Sequence, residues 1–273
     1  MNKKIFIFLT LIVIISSVLR LWDLGKVPAS PDWDEVALGY NAYSIMQTGR
    51  DEYGKFLPII LRSFDDYKPA LYAYLTIPFI SILDLTVVAV RLPSAIFGIL
   101  TMLGVFFLVK ELFKKDSVAL LSALLLAISP MSIQFSRVAF EANVGVALNV
   151  FGILFFLKAF KSPWFLFLSA LMWGLSLHVY QSEKVFVPLL IAILVFSFRK
   201  EFLTIGKKYI YISIIIFATI FLPLIHFTLT NSDALSRAKT VSIFSSSSII
   251  NANTEKIARD RTNNDILGLV LDN

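Results

Sequence analysis

The sequence predicts an all-α polytopic membrane protein, a transmembrane helix bundle whose long external first loop contains juxtamembrane helices. Three observations carry this. The 273 residues are 57% hydrophobic, with a mean hydropathy of +0.77, and the apolar residues come in blocks of membrane-spanning length rather than at core spacing. The lysines and arginines behind the net charge of +6 sit in short clusters between those blocks, where they act as topology signals and not as a nucleic-acid surface. A polar and aromatic stretch, residues 28–69, interrupts the apolar pattern near the start. With no cysteine in the chain, disulfides, thiolate nucleophiles and Cys-ligated metals are excluded.

Residues 3–21 form an uncleaved first span, because Arg20, Leu21, Trp22 and Asp23 follow where a small-residue cleavage site would stand. Lys3 and Lys4 place its start in the cytoplasm and Trp22 its end at the outer interface. The segment 70–83 is short for a crossing and carries Pro78. If it crossed, the cluster Lys110, Lys114 and Lys115 would land outside, against the positive-inside rule. Laid in the outer interface as a bent amphipathic segment, it lets residues 92–109 cross inward and 118–136 return. The rest follows: 144–157 inward to Lys158 and Lys161, 164–177 outward to His178 and Lys184, 185–198 inward to Arg199 and Lys200, and 209–227 outward.

Seven spans result, three of them short, with the amino terminus inside and the external loop over 22–91. The expected location is the plasma (inner) membrane. Residues 1–227 make the transmembrane domain, and 228–273 an external loop or the start of a further part of a longer protein. Its only low-complexity piece is the serine run 245–248.

Chemistry is expected on the outer side, because no acidic or basic residue falls in the middle of a span. Asp34 and Glu35 follow Ser30, Pro31 and Asp32 and precede an amphipathic stretch with Val36, Tyr40, Tyr43 and Met46 at helical spacing. They are read both as first-turn acids, with Asp32 or Ser30 as the cap, and as a general base for a hydroxyl too weakly acidic to attack unaided. A second acidic pair is Asp65 and Asp66. Lys68, before Pro69, is expected at the start of the interfacial helix, where an ammonium and helix amides together suit a phosphate. Arg62, Arg91, Arg137 and Lys184 fall on the same side and suit an anionic lipid-linked substrate or lipid headgroups. Glu141 lies at an outer boundary, with an i, i+4 pair to Arg137 as its plain role. His178 and His226 lack a local metal motif and are assigned to interfacial packing.

The succession PDWDEVALGYNAYSIMQTGRDEYGKFLPI, YKPALYAYL, RLPSAIFGILTMLGVFFLVKELF and SPMSIQFSRVAFEAN resembles the GT-C glycosyltransferases of family 39, over roughly residues 5–200, with SRAKTVSIF similar to a later stretch of some members. The resemblance implies a GT-C-like bundle that moves a sugar from a polyprenyl-phosphate to an acceptor lipid, glycan or protein on the outer face, with inversion. It assigns Asp34 as the base, Glu35 as its acidic neighbour, Lys68 to the donor phosphate and Glu141 as the second external acid. Ala70 replaces a second proline of the family's lysine motif, and Tyr67 stands at a substrate-side position where the lipid A transferases carry glutamate. That departure weighs against a zinc site, and a divalent metal is not required by the sequence. The other readings are a transporter or flippase of lipid-linked substrates, for which Asn149 is the one candidate functional residue singled out within a span, and a non-catalytic membrane scaffold.

Overall fold

The structure, a computed structural model, describes residues 2–63 and 66–230. Met1–His226 forms one compact unit, and Phe227–Asn273 a second of which only the last turn of a helix is described. Expectations for Asp65, the Asp66 side chain, the serine run, the SRAKTVSIF stretch and the rest of 231–273 lie outside the described residues.

Among the described residues the bundle is helical apart from one hairpin and an isolated bridge between Arg50 and Phe56. In chain order come α1 (Lys3–Leu21), α2 (Trp33–Thr48), β1 (Ile60–Ser63), β2 (Asp66–Pro69), α3 (Leu71–Leu83), α4 (Val87–Phe113), α5 (Asp116–Ile128), α6 (Pro130–Ser136), α7 (Glu141–Ala159), α8 (Phe165–Ser176), α9 (Glu183–Ser197), α10 (Arg199–Phe202) and α11 (Lys207–Thr230). Among the described residues, α1, α4, α7 and α11 are each long and apolar enough to cross a membrane, and α5 with α6 makes a fifth if a bent pair counts as one span. The expected spans 164–177 and 185–198 fall on α8 and α9, which have only 12 and 15 residues.

Two local expectations need correction. Residues 118–136 are not one helix: Pro130 has no N–H to offer the Leu126 carbonyl, and the chain bends by 60° between α5 and α6. Arg20, fully buried in the last turn of α1, fills the gap by donating to the carbonyls of Leu126 at 3.1 Å and Ala127 at 2.9 Å, and to Ser132 Oγ at 2.8 Å. Gly98 on α4 makes room beside them, since a Cβ there would stand 2.1 Å from Ser136 Oγ. Lys68 and Pro69 do not open a helix but end β2, which pairs antiparallel with β1 so that Leu61 faces Lys68 and Arg62 faces Tyr67. On α2 the Val36, Tyr40 and Tyr43 stripe points outward, while Leu38, Ala42 and Ile45 pack inward with Tyr72, Ala73, Val90 and Val144.

Contacts at the helix ends fix the directions. At one end Asn143, early in α7, donates to the Ser94 carbonyl of α4 at 2.8 Å, and Arg91 of α4 donates to the Leu24 carbonyl just past α1 at 3.0 Å. At the other end Lys161, beyond α7, meets Glu111 of α4 at 2.6 Å, and Lys110 meets Asp116 at 2.6 Å. So α4 and α7 run the same way and α1 runs against them. The α3 helix starts where the Leu71 N–H donates to the His178 carbonyl and leads directly into the start of α4, so both its ends lie at the first of these two ends. Small residues let α1, α4 and α5 approach closely: Ala119, Ala123 and Ala127 pack against Leu9, Ile12, Met102 and Phe106.

Candidate active site

The start of α2 is held by a buried ion pair. Asp32 occupies the cap, and Glu35, three residues on, accepts the Asp32 N–H on Oε2 at 3.0 Å, the reciprocal half of a capping box. Glu35 is 4% exposed and Arg91 fully buried. Arg91 approaches as a fork, with Nε to Oε1 and Nη2 to Oε2, both at 2.9 Å. Its remaining N–H groups go to the carbonyls of Leu24, Pro28 and Ser30. Glu35 Oε1 also accepts the Ala139 N–H at 2.7 Å. Two hydrogen bonds to each oxygen occupy the lone pairs of a carboxylate, so Glu35, expected beside the base, has no acceptor left for a proton. It joins α2, α4 and the 137–140 linker.

Asp34 faces the other way, with a half-exposed side chain, and forms an ion pair with Lys68, whose side chain is 9% exposed. The hairpin makes this possible: β2 carries Lys68 back across the mouth of the bundle to the first turn of α2. A largely buried ammonium beside an accessible carboxylate is a place where an anion and a hydroxyl can be held together.

The other expected residues make contacts of their own. Glu141 opens α7 and is 3% exposed; it and Glu35 both act electrostatically on the Tyr72 hydroxyl, which donates to the Val90 carbonyl at 2.9 Å. Arg137, expected to meet substrate or pair with Glu141, instead caps the end of α1, donating to the carbonyls of Leu19 at 2.9 Å, Trp22 at 2.7 Å and Val27 at 2.9 Å. Tyr67 is half-buried, and its carbonyl accepts from Gln181 Nε2. Arg62 is exposed and lies over the Tyr53 ring at 5.1 Å. Lys184 is half-buried in the first turn of α9. Nε2–H of His178 donates to the Ile220 carbonyl at 2.7 Å, and burial pushes this imidazole below its ordinary range. Among the described residues no three His, Cys, Asp or Glu side chains come together to hold a metal.

Residues 67–227, more than half of the chain, match the dolichyl-phosphate-mannose-protein mannosyltransferase family. The chain belongs to this family. It is a membrane glycosyltransferase of the GT-C type. The matched region includes Lys68 and Glu141, whereas Asp34 and Glu35 precede it. No curated protein matches the chain.

Two groups at this end of the bundle escaped the sequence reading. Arg91 was counted among outer cations, although its partner Glu35 is 56 residues away and no local spacing joins them. Glu183, 6% exposed at the start of α9, went unremarked beside Lys184; an acid preceding an apolar helix reads as a first-turn charge whatever it touches.

Proposed function

We propose that the protein transfers a sugar from a polyprenyl-phosphate donor to an acceptor hydroxyl at an outward-facing site, with inversion at the anomeric carbon. Asp34 takes the proton of the acceptor hydroxyl as its oxygen attacks the anomeric carbon from the face opposite the phosphate. The carbon–oxygen bond to the phosphate breaks, and the polyprenyl phosphate leaves with its charge against Lys68. In the resting site Lys68 pairs with Asp34, so the donor phosphate competes for the ammonium and frees the carboxylate to act as a base. Glu35 positions the turn that carries Asp34, and Glu141 is the second acid of the site.

The observation that carries this reading is the Asp34–Lys68 ion pair, which brings an accessible acid and a nearly buried lysine together from 34 residues apart. The family description, which names a lipid-phosphate sugar, supports a donor of that kind. We place this end of the bundle on the outer side of the plasma membrane, with the amino terminus cytoplasmic, because the lysine clusters 110–115 and 158–161 gather at the opposite end. The test is Asp34→Asn in membranes supplied with a labelled polyprenyl-phosphate sugar. Loss of a general base lowers turnover by about 10²–10⁴-fold while membrane insertion stays normal. Full transfer by this variant refutes the mechanism.

A further inference from the structure

The turn between α8 and α9 touches the Lys68 strand region twice. The His178 carbonyl accepts the Leu71 N–H at 3.2 Å, and Gln181 Nε2 donates to the carbonyl of Tyr67, the residue before Lys68. At its base the same turn is closed by a buried carboxylate that the proposed chemistry does not use. Glu183 accepts on Oε2 from Ser176 Oγ at 2.9 Å and from Asn149 Nδ2 at 2.7 Å. Ser176 ends α8, Glu183 begins α9 and Asn149 stands in α7, so one oxygen fastens both ends of the turn to a third helix. Gly145, one turn before Asn149, provides the space: a Cβ there would lie 2.8 Å from Glu183 Oε1.

A carboxylate buried among neutral donors is a costly way to pack three helices, and it is retained where it specifies one geometry. We infer that Glu183 is a positioning residue for the phosphate-binding strand. It sets the 177–182 turn, and the turn, through Gln181 and His178, sets the Tyr67–Pro69 backbone from which Lys68 projects. The inference rests on the assignment of Lys68 to the donor phosphate. Because Glu183 acts through the lysine strand and not through Asp34, its loss weakens donor binding while leaving proton removal intact.

The experiment compares Glu183→Ala, Glu183→Gln and the milder Ser176→Ala in membranes, after checking that each elutes as a single species in detergent. Gln keeps an oxygen for both donors. Its donor KM is expected within about twofold of wild type, whereas Glu183→Ala raises it about tenfold, the size of a lost buried hydrogen-bond pair, with a smaller fall in kcat because Lys68 also meets the leaving phosphate. Ser176→Ala shifts KM in the same direction by less, and carries the comparison should Glu183→Ala fail to fold. A second arm needs no activity. The chain has no cysteine, so Leu71→Cys with His178→Cys forms a disulfide only across this contact. Its oxidation slows when Glu183→Ala is added and is unchanged by Glu183→Gln. A Gln variant as impaired as the Ala variant, a fall in kcat in place of a rise in KM, or cross-linking indifferent to Glu183→Ala overturns the inference. Absence of transfer in the wild type refutes the proposed function, and the cross-linking arm still decides the role of Glu183.

Discussion

Replacing Arg91 by Ala tests the buried joint most directly. The guanidinium makes five hydrogen bonds: two to Glu35 and one each to the carbonyls of Leu24, Pro28 and Ser30. Its removal leaves Glu35, 4% exposed, with only the N–H groups of Asp32 and Ala139. Breaking one partner out of a buried pair costs about 3–5 kcal/mol, because the remaining charge is uncompensated. At about 2–4 °C per kcal/mol for a domain of this size, that is a fall of roughly 6–20 °C in Tm. Thermal unfolding in detergent measures it. The companion variant, Glu35→Leu with Arg91→Met, removes both charges and is expected to recover much of the loss, since an apolar pair of similar volume often matches a buried ion pair. The recovered protein still lacks the carboxylate that joins α2 to the 137–140 linker, so its transfer activity stays low. An Arg91→Ala protein within about 2 °C of wild type, or a double variant no more stable than Arg91→Ala, refutes the assignment of an uncompensated buried charge.

Two other outcomes are expected. Gly98→Ala would place a Cβ 2.1 Å from Ser136 Oγ and 2.8 Å from Ser136 Cβ, so α4 and α6 must separate, at a cost of about 1–3 kcal/mol read as a lower Tm. His178, held below its ordinary range by burial, is neutral in the folded protein and takes up a proton on unfolding below about pH 6.5. Stability is therefore full above that pH and falls as the pH drops through it. His178→Gln, which keeps a donor for the Ile220 carbonyl, is expected to reduce the difference in Tm between pH 7.5 and 5.5.

Helix class and the gathering of polar groups at one end of the bundle were legible because both rest on local signals: apolar blocks, lysine clusters, and an acidic turn before an amphipathic run. Asp34 and Lys68 were legible as individuals, and a hairpin that the sequence did not announce is what joins them. The run from Asp66 to Pro69 has few strand formers; it is a strand because it pairs with Ile60–Ser63, whose Ile60 and Leu61 are buried. The break at Pro130 was missed because the residues on either side are apolar enough to continue a span, and the group that stabilises the break, Arg20, lies more than 100 residues earlier. Tyr40 and Tyr43 face outward, because in a protein bounded by lipid an apolar stripe need not turn to the core.

Arg20 also has a consequence for the order in which the protein is made. α1 leaves the ribosome before α5 and α6, and the oxygens that satisfy its guanidinium, those of Leu126, Ala127, Ser132 and Ser136, arrive 106–116 residues later. Until then a cation one residue from the helix end has only Ser16 and the lipid headgroups, toward which a long side chain extends. Arrival of the α5–α6 bend offers that cation its first full set of partners, drawing it away from the bilayer surface and into the protein. The broken helix thus serves as the receptor for the first one, and newly made α1 remains an anchor awaiting its bundle until the bend has been synthesised.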